Sequence, residues 1–220
     1  MAAEAYAHLR QVYPFLVPLF DHVGDVPVPT RTSGTVDDAV IKIVIGQMLS
    51  GKAARSIHER VLQACAAAGC PAWELPDETL RSAGLSGRKV RTIREFAAGM
   101  TTRADEIAQW PTMPFQDLRR SVSSFWGLSD WTASILAIFH FGHPDVLPLS
   151  DGSIVRAIKY VEQHLMPPDE RFVVDLASPY GTYLSMAFYA SLDEGFWTAH
   201  ANARKLTSVE GKPLTTPGLP

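Results

Sequence analysis

The stretch whose reading decides the fold is residues 124–158, SFWGLSDWTASILAIFHFGHPDVLPLSDGSIVRAI. A short turn, Gly127 to Asp130, separates two helical segments. A strongly apolar helix follows from about Trp131 to Phe141, then a Pro-containing loop, then Asp151 at the start of another helix. The turn has two readings. It is an ordinary αα-hairpin, the commoner case, or the N–H groups at the second helix's N-terminus and that helix's dipole receive a phosphate. Asp151 is equally double. It is an N-cap accepting the N–H of Ser153 or Ile154, or a carboxylate that does chemistry. Asp145 shares that ambiguity.

Outward from this window the pattern stays helical. Ala5, Leu9, Val12 and Leu16 repeat at helical spacing, and Pro14 and Pro18 then break that segment. Residues 23–35 are rich in Pro, Gly and Thr and read as a loop. Thr35 or Asp37 caps the next helix, with Val40, Ile41, Val44 and Ile45 on its apolar face. Ser50 caps a helix from Lys52 to about Ala68. Helices are expected from Pro76 to near Gly84, from Gly87 to Ala98, and from Pro114 to near Ser124. Asp151 opens one carrying Ile154, Ile158 and Val161; two more run from Asp169 to about Ala177 and from Pro179 to about Leu192. No run alternates long enough to claim a strand. The tail, residues 206–220, is poor in core residues. The fold class is all-α.

Composition narrows the function. The chain has 220 residues, 46% hydrophobic and 20% charged, an ordinary globular balance. Lys plus Arg is 20 and Asp plus Glu is 23, for a net charge of −3, which excludes a histone-like basic protein but not a local basic groove. Two cysteines, Cys65 and Cys70, are too few for an iron–sulfur cluster and read as reduced packing residues. His140 and His143 form an i, i+3 pair without a third ligand nearby, so no metal site is expected. No stretch has the apolar length of a membrane helix, and the start MAAEAYAHLR lacks a signal-peptide pattern. The expectation is a soluble intracellular protein with no membrane partner.

Four blocks, taken in order, resemble the helix–hairpin–helix DNA glycosylases, in particular their 3-methyladenine-DNA glycosylase II branch. Residues 125–133, Phe-Trp-Gly-Leu-Ser-Asp-Trp-Thr-Ala, resemble that family's hairpin Leu-x-Gly-Ile-Gly-x-Trp-Thr-Ala. Its catalytic Asp, beyond a Gly/Pro-rich loop, falls on Asp151. Residues 45–50, Ile-Gly-Gln-Met-Leu-Ser, resemble its Gly-Gln-x-x-Ser block. Residues 84–93, beginning Gly-Leu-Ser-Gly-Arg-Lys, and residues 178–183 through Tyr189 resemble two further blocks.

The resemblance implies two helical lobes, with the helix–hairpin–helix in one and an active-site cleft between them. One lobe is residues 1–35 plus 148–205 and the other 36–147, with 206–220 as a tail. It implies excision of alkylated purines, such as 3-methyladenine, in base excision repair. The damaged base is flipped from the duplex, and Asp151 stabilises positive charge developing on the sugar. Bifunctional relatives carry a nucleophilic Lys where Trp131 stands, so no lyase activity is expected. Trp131, Tyr189 and Gln47 would line the base pocket, and Met48 would fill the gap the flipped base leaves. Gly127, Ser129, Thr132, Arg88 and Lys89 would bind the DNA backbone, with Arg91 and Arg94 completing a basic cluster.

Four positions depart from the family's pattern. Ser129 replaces the second hairpin glycine, and a positive φ there would cost about 1 kcal/mol. The hairpin's phosphate contact, and a monovalent cation it could hold, turn on that point; no other cofactor is implied. Asp130 puts negative charge beside the phosphate, Ile135 replaces a second pocket aromatic, and Gly181 replaces a common Arg. The partner would be double-stranded DNA bearing a damaged base, met by a monomer in the cytoplasm at the nucleoid. Two other readings stay open: a non-catalytic protein that binds lesions or DNA structures on the same scaffold, and a glycosylase for other damaged or mismatched bases.

Overall fold

A computed structural model describes residues 1–29 and 34–200. The tail expected at 206–220 lies outside the described residues, among which no strand occurs. The helices are α1 (Ala2–Val12), α2 (Val17–Val23), α3 (Val36–Gly46), α4 (Gly51–Ala68), α5 (Asp77–Ser82), α6 (Gly87–Thr102), α7 (Ala104–Gln109), α8 (Phe115–Ser123), α9 (Asp130–Leu136), α10 (Gly152–His164) and α11 (Gly181–Asp193). Short 3₁₀ turns join several of them, and α9 widens into a π-helical turn over Ala137–Phe141.

Side-chain oxygens decide where many of these helices start. Thr35 accepts from Asp38 N, Ser50 from Ala53 N and Ser86 from Lys89 N, opening α3, α4 and α6. Such caps typically contribute about 1 kcal/mol each. The prolines break the N-terminal segment as expected: α1 ends at Val12, just ahead of Pro14. Pro14 begins a 3₁₀ turn and Pro18 sits in the first turn of α2, where its missing N–H costs nothing. The helix expected over 169–177 is only a 3₁₀ turn, Val174–Ala177. Side chains compete for its backbone: Tyr13 Oη donates to Val173 O at 2.7 Å, and Glu162 accepts from Phe172 N at 3.1 Å. Phe172 then stacks on Tyr13 with ring centroids 4.8 Å apart.

Two hydrophobic clusters result. One draws on residues from Val40 to Val146, around Phe96, Trp110, Phe125 and Leu136. The other joins Tyr6, Leu9, Phe20 and their neighbours to Ile154, Leu184 and Phe188. The chain leaves the first cluster at Val146 and enters the second at Leu147. That crossing is tied to the start of α11. Thr182 Oγ1 donates to His143 O at 2.6 Å and accepts from Val146 N at 2.9 Å. Thr182 N donates to Pro144 O at 3.0 Å, and Ser185 Oγ to Val146 O at 2.8 Å. Asp145 Oδ1 accepts from Gly181 N and its Oδ2 from Ser178 Oγ, at 2.9 and 2.7 Å. A Cβ on residue 181 would stand 2.9 Å from Asp145 Oδ1 and 3.3 Å from Leu147 N, which accounts for glycine there. These bonds fix the path that delivers Asp151 five residues after Val146.

Candidate active site

Three loops meet near the hairpin: the α3–α4 turn, the α8–α9 hairpin itself, and the segment leading into α10. The hairpin is set from below. Phe125 and Leu128 are buried, and Leu128 N donates to Phe125 O at 3.2 Å. Gly127 has φ +79°, and a Cβ there would collide with the buried Thr92 side chain of α6, so only glycine fits. Ser129 has φ −139° and ψ 174°, extended backbone that any residue adopts. The strain a serine would have suffered at positive φ is therefore absent. Instead Ser129 N-caps α9 in a capping box: its Oγ accepts from Thr132 N, and its own N–H donates to Thr132 Oγ1.

That box corrects one expected contact. Thr132 is wholly buried, so its side chain has no surface to offer a DNA backbone. It holds the hairpin closed. Gln47 joins it: Nε2 donates to Gly127 O and to Thr132 Oγ1, both at 3.3 Å. The Gln47 amide thus spans the hairpin. Asp130 is engaged by Ser123 Oγ at 2.9 Å and lies 4.0 Å from Arg119, so its charge has local partners.

The basic cluster also divides. Lys89 is half-buried and its Nζ donates to Ile45 O at 2.8 Å, at the C-terminal end of α3. Burial holds its ammonium below the usual lysine range. Arg94 donates to Trp73 O and Leu75 O and pairs with Asp77, so it braces the α5 entrance. Arg91 lies 4.1 Å over the ring of the exposed Trp126. Arg88 is exposed in the first turn of α6. Of the four cations, Arg88 and Arg91 face outward, while Lys89 and Arg94 act inside the fold.

Asp151 is half-buried and held from two sides. Oδ1 accepts from Ser153 N at 2.7 Å and from Ile154 N at 3.3 Å, capping α10. Oδ2 accepts from Trp131 Nε1 at 2.7 Å. Three N–H donors thus fix the orientation of both carboxylate oxygens. The Tyr189 hydroxyl is buried beside Asp151 and makes no hydrogen bond of good geometry. Burial, then the charge of Asp151, push that phenol far above the usual tyrosine range, so it stays neutral. Its ring stands 6.0 Å from Phe139. Phe139 and Tyr189, with Ser153, Arg156, Met186 and Leu192, line a cleft of about 520 Å³. A larger cleft of about 690 Å³ is lined by Arg119, Asp130, Asp145, Ser150 and Ser178; Asp151 lines neither cleft, with Ser150 on the wall of the larger and Ser153 on that of the smaller.

The structure thus brings Asp151, Trp131 and Tyr189 together, and joins Gln47 to Gly127 and Thr132. Met48 stands apart, fully exposed at the tip of the α3–α4 turn. Sequence reasoning missed the Trp131–Asp151 bond and the inward role of Lys89. A half-apolar helix face around Lys89, with Val90 and Ile93 beside it, was the available signal. Among the described residues, no group of three or more His, Cys, Asp and Glu could hold a metal ion.

No family model matches the chain. It is 24% identical over 156 residues to "DNA-3-methyladenine glycosylase 1" of Schizosaccharomyces pombe, covering 66% of this chain and 67% of that protein. It is 26% identical over 185 residues to the "Putative DNA-3-methyladenine glycosylase YfjP" of Bacillus subtilis, covering 78% of this chain but only 61% of the relative. Among solved structures, the S. pombe 3-methyladenine DNA glycosylase in complex with abasic DNA superposes with a TM-score of 0.70 at 21% identity, over 86% of this chain and 96% of that one. That likeness establishes the all-α fold.

Proposed function

We propose that this chain, a distant relative of the helix–hairpin–helix 3-methyladenine-DNA glycosylases, removes alkylated purines such as 3-methyladenine from duplex DNA. The observation that carries the reading is Asp151, a carboxylate oriented by α10 through Oδ1 and by Trp131 through Oδ2. Two named relatives with glycosylase names, matched over most of this chain, support it.

The chemistry follows from that carboxylate. The target base leaves the stack, at a cost of a few kcal/mol. The bond from C1′ to the base nitrogen breaks, and its electron pair leaves with the base. A cationic alkylated purine departs as a neutral molecule, so little acid catalysis is needed at the base. Positive charge grows at C1′, and Asp151 Oδ2 stabilises it at short range in a half-buried site. Water then adds to C1′, yielding an abasic site and releasing a proton. Trp131 must yield Oδ2 or share it as the sugar approaches, while Oδ1 stays held by α10. The neutral Tyr189 hydroxyl is a donor in reach of the same region.

Trp131 has no amine, and Lys89 is committed to Ile45, so excision proceeds without strand cleavage. Arg88, Arg91 and the hairpin backbone at Gly127 and Ser129 supply the DNA contact, and Met48 fills the emptied stack. The partner is double-stranded DNA, bound by one copy of the chain.

The test is release of free bases from methylated duplex DNA in a single turnover, with Asp151→Asn alongside. Release by the native chain that collapses in the variant, with the DNA strand intact, is expected. Tight DNA binding without release by either protein would move the reading to a non-catalytic lesion binder.

A further inference from the structure

Met48 has two properties that rarely coincide. It is fully exposed, and its φ is +58°, the one non-glycine residue at positive φ among those described. A methionine there forgoes both burial and its preferred backbone. Such a residue persists where its surroundings over-determine it, and the surroundings can be read bond by bond.

The last four carbonyls of α3 all have partners. Gln47 N donates to Ile43 O at 3.1 Å and to Val44 O at 3.3 Å, and Leu49 N donates to Gly46 O at 3.2 Å across the turn. The remaining carbonyl, of Ile45, is taken by Lys89 Nζ at 2.8 Å. An ammonium at a helix C-terminus is also well placed for the dipole. The residue before Met48, Gln47, is anchored to the hairpin at Gly127 and Thr132. Ser50 then caps α4 immediately after. The turn is held by α6 through Lys89 and by the hairpin through Gln47, and Met48 is its most exposed apolar side chain, well ahead of the neighbouring Leu49.

We propose that Lys89 and Gln47 are positioning residues for Met48, fixing it as a rigid wedge tied to the hairpin that grips the DNA backbone. This rests on the glycosylase reading above. The wedge and the grip then move as one body, so seating the hairpin on a phosphate sets the height of Met48 over the stack. A flexible side chain at the tip of a rigid turn loses little backbone entropy on insertion.

The experiment is a double-mutant cycle on the full chain. The probe is a duplex with a tetrahydrofuran abasic-site analogue flanked by 2-aminopurine, whose fluorescence rises when a side chain enters the gap and disturbs stacking. It needs no knowledge of the preferred base. Met48→Ala should remove most of the rise. Lys89→Met should require roughly tenfold more protein for the same rise, the effect of losing one charged hydrogen bond. The cycle is closed on affinity for the same duplex, read by fluorescence anisotropy: Lys89→Met should weaken binding in the native background and add nothing in the Met48→Ala background. Losses that multiply would show that Lys89 acts elsewhere and would overturn the proposal, as would a native chain that binds without any rise. Should Lys89→Met fail to fold, Gln47→Leu enters the same cycle with the same expectation. Base release from methylated DNA, run in parallel, reports on the glycosylase reading alone: native release with no fluorescence change defeats the wedge and leaves the enzyme.

Discussion

Asp145 and Asp151 stand six residues apart in the segment that leads into α10, and spacing alone does not rank them; only the family resemblance favours Asp151. In the structure they part. Asp145 directs Oδ1 to Gly181 N and Oδ2 to Ser178 Oγ, so both oxygens serve to bind the crossing segment to α11. Asp151 uses Oδ1 alone for its helix and turns Oδ2 towards Trp131, a donor on a different helix at the mouth of the hairpin. One carboxylate is consumed by architecture. The other is oriented by it and keeps one oxygen where chemistry can use it. A carboxylate's function is legible in what its second oxygen is left to do.

Asparagine separates the two most sharply. At 145 the amide keeps both contacts, because Oδ1 still accepts from Gly181 N and the Ser178 hydroxyl can turn to accept from the new NH₂. Asp145→Asn should leave base release within about twofold of native and the melting temperature within a degree or two. At 151 the amide caps α10 as well as aspartate does, but it removes the charge that the proposed chemistry sets against C1′. Asp151→Asn should slow single-turnover release by about 10²–10³-fold. Its new NH₂ also meets the Trp131 N–H, so stability should fall by about 1 kcal/mol. Equal effects of the two substitutions on release would erase the distinction.

The next effect concerns the partner that defines Oδ2. Trp131→Phe keeps an aromatic wall and loses the N–H that holds Asp151. The carboxylate, still capped through Oδ1, gains freedom to rotate. Release should slow by roughly tenfold, the worth of one charge-assisted bond. DNA binding should hold, since neither residue touches the backbone in this reading. Unchanged release, with DNA binding intact, would mean that α10 alone orients Asp151 and that Trp131 merely closes the free site.

Alanine inverts the order. Asp145→Ala breaks two bonds at the crossing and leaves the start of α11 uncapped, at a cost of about 1–2 kcal/mol in urea unfolding. Release per folded molecule should fall far less than in Asp151→Asn. A loss of release as deep as that one, in protein shown to be folded, would make the crossing part of the site.

The reach of the sequence follows the same division. Features set within a few residues were readable: the caps Thr35, Ser50 and Asp151, the hairpin turn, and the helical stripes. Features set across the fold were not. Ser129 looked like a liability because its φ depends on what lies beneath the hairpin, and it proved to be the N-cap of α9. Thr132 and Lys89 carry polar groups that suit a DNA contact, but burial and the carbonyl of Ile45 were invisible along the chain. Trp131 and Asp151 are 20 positions apart, and only the path fixed by Thr182 and Asp145 brings indole to carboxylate. The expected helix at 169–177 failed for the same reason, since Tyr13 claims its carbonyls from the other end of the chain.

A third carboxylate gives the smallest effect and the most general check. Glu106 accepts from Arg103 through both oxygens at 2.7 Å, and it also receives Ser121 Oγ, which in turn accepts from Trp110 Nε1 at 2.7 Å. The Arg103 bonds first, then the Ser121 bond, hold its carboxyl below the usual glutamate range. A carboxylate lowered on folding stabilises the native state above its unfolded value of about 4.5, and the gain fades as pH falls through the lower folded value. Glu106→Gln should therefore be less stable than native at pH 7, by under about 1 kcal/mol because the pair is partly exposed. The two unfolding curves should converge below about pH 4. Base release per folded molecule should be untouched, since Glu106 lies behind α8, beside Arg103 and Ser121. A gap in stability that persists into acid would assign the network's contribution to packing around Phe125 and Trp110, where Arg103 stacks 3.9 Å over the Phe125 ring, instead of to charge.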